Sequence, residues 1–231
     1  MTAHLAELEL RGPEARLPPA SELAATRAAA EADPDVWAVL IRAAGSDPLA
    51  SAEIEPVIED PASDLTPWAK PLILAATGTV SGRGFELALN ADVLVATAGS
   101  SFVLPPPATT AARRTALGRC FDQLPYRVVT AHAMARRPLS AERAHDLGFV
   151  NELATPETLG AVAQDWAERI LAASPLAAAA IGEAAIEGLG KDLATAIRGP
   201  YSAVADYASS ADAAEAVKAL VEGRRPLWRG H

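Results

Sequence analysis

The sequence predicts an α/β fold with a mainly parallel sheet covered by helices, and three observations carry that prediction. Residues 37–41, 71–75 and 92–96 are short apolar runs rich in Val, Leu and Ile, as expected of strands buried on both faces. Helical patterns alternate with these runs, which favours parallel strands joined by helices. Half of the 231 residues are hydrophobic but only 5% are aromatic, so the core is built from Ala, Val, Leu and Ile, which lets helices pack closely on short strands.

The elements follow in order. Residues 4–10 alternate apolar and polar as a strand does, and Arg11-Gly12-Pro13 stops them. From Pro19 the pattern turns helical, with Ala24, Ala25, Ala28 and Ala32 spaced to form an apolar face that ends near Asp33-Pro34. The strand at 37–41 closes a first strand-helix-strand unit. Residues 43–69 carry Pro48, Pro56, Pro61 and Pro67 among acidic residues and read as loop, after which 71–75 forms the next strand. A glycine-bearing turn leads to a helix over 85–90 and a strand over 92–96. Pro105, Pro106 and Pro107 interrupt regular structure, and Ala-rich helical patterns dominate from Thr115 onward. Ser140 fits an N-cap, Gly148 a helix stop, and 149–153 a short strand. Thr155-Pro156-Glu157 has the cap, proline and acidic first turn of a helix start. The C-terminal third reads as helices over about 156–173 and 175–188, with one or two more before Arg224.

Charge and cysteine usage narrow the partners. A formal net charge of −9 disfavours nucleic acid and anionic membranes, both of which are bound through clustered Lys and Arg. The single Cys120 excludes an internal disulfide and any Cys-pair metal motif, in keeping with a reducing compartment. No basic start with a long apolar run opens the chain, and no run approaches the roughly 20 apolar residues that span a bilayer, so the cytoplasm is the expected location. His132 and His145 lack a second ligand at metal spacing and His4 and His231 are terminal, so no metal site is expected.

The chemistry concentrates at residues 78–86, between a buried strand and a helix. Glycines there permit tight backbone geometry and leave N–H groups at a helix start, where an anion or a developing oxyanion is received. Three familiar motifs fail on inspection. A dinucleotide fingerprint needs a third glycine where Leu87 stands, a phosphate loop needs Gly-Lys-Ser/Thr, and a nucleophile elbow around Ser81 needs glycines where Thr79 and Arg83 stand. Glu86, three residues after Arg83, falls in the first helical turn. A carboxylate there, facing the same space as the turn's N–H groups, can move a proton at the carbon beside a thioester carbonyl. The same residues also suit a plain tight connection and a charge that balances the helix dipole, and spacing alone leaves both readings open.

The order of elements resembles one family. Lys70-Pro71 and the strand after it, then Gly82-Arg83-Gly84, Glu86-Leu87 and Asp92, are similar to the signature of the enoyl-CoA hydratase/isomerase (crotonase) superfamily. The block from Arg137-Pro138 through Leu147-Gly148 to Asn151, and the C-terminal arm with Glu215 and Gly223-Arg224-Arg225-Pro226, agree in collinear order. The resemblance implies a ββα spiral over residues 1–153, followed by a helical region over 154–231 that assembles homotrimers or hexamers. It implies an acyl-CoA thioester as substrate, coenzyme A being part of that substrate, with no prosthetic group. By position, the backbone N–H groups of Ala50 and Arg83 form the oxyanion hole, Glu86 is the acid/base, and Ala52, Glu53 and Ile54 lie along the adenine end of CoA.

Several positions depart from the family's pattern. Its hydratases use two glutamates, and the second falls on Pro106, which carries no proton. The link between Ile54 and Lys70 is short, so a helix that walls the acyl pocket is expected to be missing. Gly182 stands where a lysine often follows the Ser-Pro pair, here Ser174-Pro175, and Arg224 and Arg225 are candidates to replace its contact with CoA phosphates. An arginine at 83 costs strain if that position needs positive φ. Asp92 is expected to tie the glycine turn together, and Cys120 to be a packing residue. The readings left open are hydration or isomerisation, a changed reaction such as thioester hydrolysis, and a binding or accessory subunit without catalysis.

Overall fold

The computed structural model describes residues 4–10, 16–45, 47–50, 67–105, 111–188, 191–199 and 201–231, with the side chains of 111–115 and 193 outside the description. Among these residues five parallel strands form the main sheet, in the order β1 (Leu5–Leu10), β2 (Ala38–Ala43), β3 (Leu72–Ala76), β5 (Val93–Thr97) and β8 (Glu152–Ala154). A small second sheet holds β4 (Thr79–Val80), β6 (Ser101–Phe102) and β7 (Leu139–Ser140), with β4 parallel to β6 and β6 antiparallel to β7. Strands β3 and β4 followed by α2 (Arg83–Asn90), then β5 and β6 followed by α3 (Ala111–Gln123), are two consecutive strand-strand-helix turns of the expected spiral.

The continuous apolar runs are explained by burial on both faces of the main sheet. Val39, Ile41, Leu72, Leu74, Leu94 and Ala96 enter one core with α2. Their neighbours Ala38, Leu40, Ile73, Ala75, Val93 and Val95 enter another, covered by Leu159, Ala163 and Ala167 of α6 (Leu159–Leu171). Helix α6, within the expected C-terminal region, is thus a wall of the sheet itself. Each fully buried Leu or Ile contributes about 1.5–3 kcal/mol, so the central strands are the most strongly held part of the chain.

Helix α1 (Ala20–Ala32) occupies the expected span, but its buried face is Ala20, Leu23 and Ala30, while Ala25, Ala28 and Ala32 are exposed. Leucine has more apolar area to hide than alanine, and it sets the rotation. The C-terminal end of α1 is held by Lys70, whose ammonium donates to the Ala30 and Asp33 carbonyls at 2.7 and 2.5 Å. The start of α6 also differs from expectation. Thr155 and Thr158 close a turn on each other, Thr155 N to Thr158 Oγ1 at 3.0 Å and Thr158 N to Thr155 Oγ1 at 3.3 Å, and the helix begins at Leu159. The expected strand at 149–153 is displaced to β8, because Phe149 and Val150 turn into the core. Helices α4 (Tyr126–Ala135) and α5 (Ala141–Asp146) precede it, and Ser140 caps α5 by accepting from Arg143 N at 3.2 Å.

Among the described residues beyond α7 (Pro175–Gly188), three short helices follow rather than one or two: α8 (Leu193–Arg198), α9 (Ser202–Ala208) and α10 (Ala211–Glu222). The tail folds back on them. Buried Asp212 accepts from Ser174 Oγ at 2.7 Å and from Arg229 N at 2.8 Å, and Trp228 Nε1 donates to Ala172 O at 2.8 Å. Among the described residues no single helix is long and apolar enough to cross a membrane.

Candidate functional site

Two backbone segments meet at the glycine turn. The first, residues 47–50, follows β2; the second, residues 78–86, follows β3 and runs through β4 into α2. Ser81 N donates to Leu49 O at 3.2 Å, and Asp47 Oδ1 accepts from Thr79 N at 2.6 Å. These hydrogen bonds from Thr79 hold the Asp47 carboxyl below the usual carboxylate range. Leu17 N adds a bond to Pro48 O at 3.0 Å from a third segment.

The contact is close enough to require glycine. A Cβ built on Gly84 stands 2.0 Å from the Leu49 carbonyl oxygen and 2.8 Å from its carbon, inside any van der Waals limit. Gly82, the N-cap of α2, has φ 53° and ψ −125°, a region closed to residues with a side chain. Positive φ therefore falls on Gly82 and not on Arg83, which lies inside the helix, so the arginine is accommodated without backbone strain. Its guanidinium reaches sideways, Nη1 donating to Pro18 O at 2.8 Å.

Helix α2 begins two residues earlier than the pattern suggested, which leaves Glu86 in its first turn, half-buried, with its N–H bonded to Gly82 O at 3.1 Å. The other side of α2 is anchored by Phe85, whose ring lies 5.8 Å from that of Phe149 at 24°, while Phe149 meets Phe102 edge-on at 5.5 Å. Gly84, Phe85, Leu87, Ala88, Leu89 and Asn90 are buried, so the helix cannot rotate without opening the core.

The structure thus brings Ala50, Arg83 and Glu86 into one region, with a feature the sequence did not reveal: Ala50 N donates to Asp47 O at 3.1 Å. That N–H closes a turn within residues 47–50. Ala52, Glu53, Ile54 and Pro106, and the short link up to residue 66, lie outside the described residues. Asp92 does not serve the glycine turn. Its Oδ2 accepts from Leu72 N at 2.8 Å, tying the starts of β5 and β3 at the opposite end of the strands, and burial pushes its carboxyl upward. Arg224 is engaged by Glu215, through Nη1 and Nη2 at 2.5 and 3.0 Å, and by Glu222 at 2.6 Å, so it is committed to the C-terminal arm. Cys120 is buried and its thiol is pushed up to about 12, consistent with packing and not with reactivity. A cavity of about 800 Å³ opens between α7, α6 and the Trp68-Lys70 segment; Gly182 and Ile181 line it, whereas Ala50, Arg83 and Glu86 do not.

The protonation of Asp47 makes the turn sensitive to acid. Its carboxyl is depressed in the folded chain, so the stability it contributes is present above the ordinary Asp value of about 3.9 and is lost as pH falls through the lower folded value. The thermal midpoint of the wild-type chain is expected to fall more steeply than that of Asp47→Asn below about pH 5. Parallel melting curves of the two proteins across that range check it.

Comparison with known proteins places the chain in a family. The model of the enoyl-CoA hydratase/isomerase family matches residues 40–231. Carnitinyl-CoA dehydratase of Salmonella typhi is 32% identical over 169 residues, 70% of this chain and 64% of that protein, so the chain spans somewhat less than two thirds of these curated relatives in the match. Among solved structures, an enoyl-CoA hydratase from Mycobacterium marinum is 31% identical with a TM-score of 0.87, covering 100% of this chain and 98% of that one. An enoyl-CoA hydratase from Mycobacterium tuberculosis H37Rv is 28% identical with a TM-score of 0.88, covering 100% and 97%. With a family match over more than half of its length and the same spiral of strands and helices, this chain belongs to the enoyl-CoA hydratase/isomerase (crotonase) family.

Proposed function

We propose that this chain is an enzyme that binds acyl-CoA thioesters, polarises the thioester carbonyl between residues 50 and 83, and moves a proton at the adjacent carbon with Glu86. The observation that carries the reading is the contact of Gly84 on the Leu49 carbonyl, which sets the 47–50 turn against the start of α2 with Glu86 one step along the helix. In the step we envisage, the C–H bond next to the carbonyl breaks and its proton passes to the Glu86 carboxylate. The electron pair moves onto the thioester oxygen, which accepts from the Ala50 and Arg83 N–H groups, and the proton then returns to carbon. Because Ala50 N–H already donates to Asp47 O, the thioester oxygen must share that hydrogen in a three-centre bond or draw it away. Ala52, Glu53 and Ile54, which follow in the chain, are proposed to lie along the adenine end of CoA.

Pro106 at the second glutamate position favours a one-carboxylate reaction, such as moving a double bond, over addition of water, which is best served by two. The test is solvent-deuterium incorporation into the carbon next to the carbonyl of short, medium and branched acyl-CoA thioesters, followed by mass spectrometry. Incorporation by the wild-type chain and its loss in Glu86→Gln support the reading; CoA binding without incorporation across the panel leaves an accessory subunit as the better account.

We further propose that the chain acts as a homotrimer, or as a hexamer of stacked trimers. Val217, Leu220 and Val221, spaced to share one face of α10, and Leu227 of the arm are 64–82% exposed among the described residues, apolar surface of the kind that a contact between subunits covers. Sedimentation equilibrium is expected to show a trimer or hexamer for the wild type and a monomer for Leu220→Glu/Val221→Glu, since each large apolar side chain buried at such a contact contributes about 1.5–3 kcal/mol. A monomeric wild type contradicts this.

A further inference from the structure

The C-terminal turn of α2 is held by a cation from another element. Arg119, on α3, donates through Nη2 to Leu89 O at 2.9 Å and through Nη1 to the Asn90 side-chain oxygen. Gln123, one turn further along α3, donates to the same Leu89 carbonyl at 2.9 Å. The last carbonyls of a helix lack partners within it, and a cation there also opposes the negative end of the helix dipole. An eight-residue helix is too short to hold its shape alone, so its direction is set by its buried face together with what grips its two ends. At the start the grip is Gly84 on Leu49; at the end it is Arg119.

The guanidinium is partly buried beside Asp92 and Asp122, and desolvation lowers its pKa. Water would solvate that charge more cheaply than this position does, so the residue's place is set by what it holds. Its planar fork reaches two acceptors of different kinds at once, a main-chain carbonyl and a side-chain amide, which a point charge does less well. Glu86 lies three residues before Leu89, less than one turn of the same rigid helix.

We propose that Arg119 is a positioning residue, clamping the end of α2 so that Glu86 and the Arg83 N–H keep a fixed direction toward the bound thioester. The inference rests on the acid/base reading of Glu86. Misplacing a catalytic group by about 1 Å can cost on the order of a hundredfold in rate, while substrate contacts made by other elements are left intact. The experiment uses the full chain and the thioester that the wild type exchanges fastest, comparing Arg119→Met, Arg119→Lys and Gln123→Leu, with rates measured well below each thermal midpoint. Arg119→Met is expected to lower the maximal exchange rate about 10- to 100-fold with KM changed less than about threefold. Arg119→Lys is expected to recover part of that rate, and Gln123→Leu to lose less because Arg119 still covers Leu89. Amide hydrogen exchange should quicken in Arg119→Met chiefly at residues 83–90. An unchanged maximal rate in a folded Arg119→Met, or a loss carried entirely by KM, overturns the proposal. A wild type as silent as Glu86→Gln sinks the Glu86 reading and the positioning role together, and is distinguishable because no variant then differs in rate.

Discussion

Gly84→Ala is expected to lower the thermal midpoint by on the order of 5–10 °C and acyl-CoA turnover by at least about tenfold. The reason is geometric. The new Cβ falls 2.0 Å from the Leu49 carbonyl oxygen, a backbone atom with no rotamer to escape into, and Leu49 is itself fully buried. Overpacking of this kind costs about 1–3 kcal/mol even where side chains can adjust, and each kcal/mol shifts the midpoint of a chain this size by about 2–4 °C. Relief requires moving the 47–50 turn away from α2, which breaks the Ser81 N to Leu49 O bond and separates the two proposed carbonyl donors. Gly99→Ala is the control, since its Cβ meets nothing within 4 Å, and it should leave both stability and turnover close to wild type. Melting curves and steady-state rates on the three proteins decide the matter; equal behaviour of the two alanine variants contradicts the close-contact account.

Glu86→Gln is expected to lower the maximal rate by about 10²- to 10⁴-fold, the usual contribution of a positioned acid/base, equivalent to about 3–5 kcal/mol of barrier. The amide keeps the shape of the carboxylate but cannot carry the proton. KM should therefore change little, because the proposed carbonyl donors are backbone groups and the proposed CoA contacts involve other residues. A small loss of stability, about 0.3–1 kcal/mol, accompanies the change, since Glu86 sits in the first turn of α2 where negative charge is favoured. If KM rises while the maximal rate holds, Glu86 binds substrate and does not move protons.

The sequence carried the main sheet well because its central strands are buried on both faces, which leaves an unbroken apolar run no surface element needs. Helix rotation was less legible: an alanine stripe on α1 suggested one face, and a single leucine, Leu23, buried another. The two-residue strands β4, β6 and β7 are too short to leave any period in the sequence. At the site, Gly82, Gly84 and Glu86 were readable because tight turns and helix starts restrict residue type. The engagement of Ala50 N–H by Asp47, and the role of Arg119 at the end of α2, were not. The first depends on how four residues close a turn, and the second on a contact across 30 residues that only the packing of α3 on α2 creates. A cation at a helix end is a recognisable signal, but which helix it caps is tertiary information.

Polarisation of a thioester carbonyl at this proposed site is read from the infrared stretching frequency of a ¹³C-labelled thioester carbonyl bound to the chain. A shift to lower wavenumber than in water is expected in the wild type and equally in Glu86→Gln, because the proposed donors are backbone N–H groups, with a smaller shift in Gly84→Ala. A bound thioester whose carbonyl absorbs as it does in water rules out an oxyanion hole at residues 50 and 83.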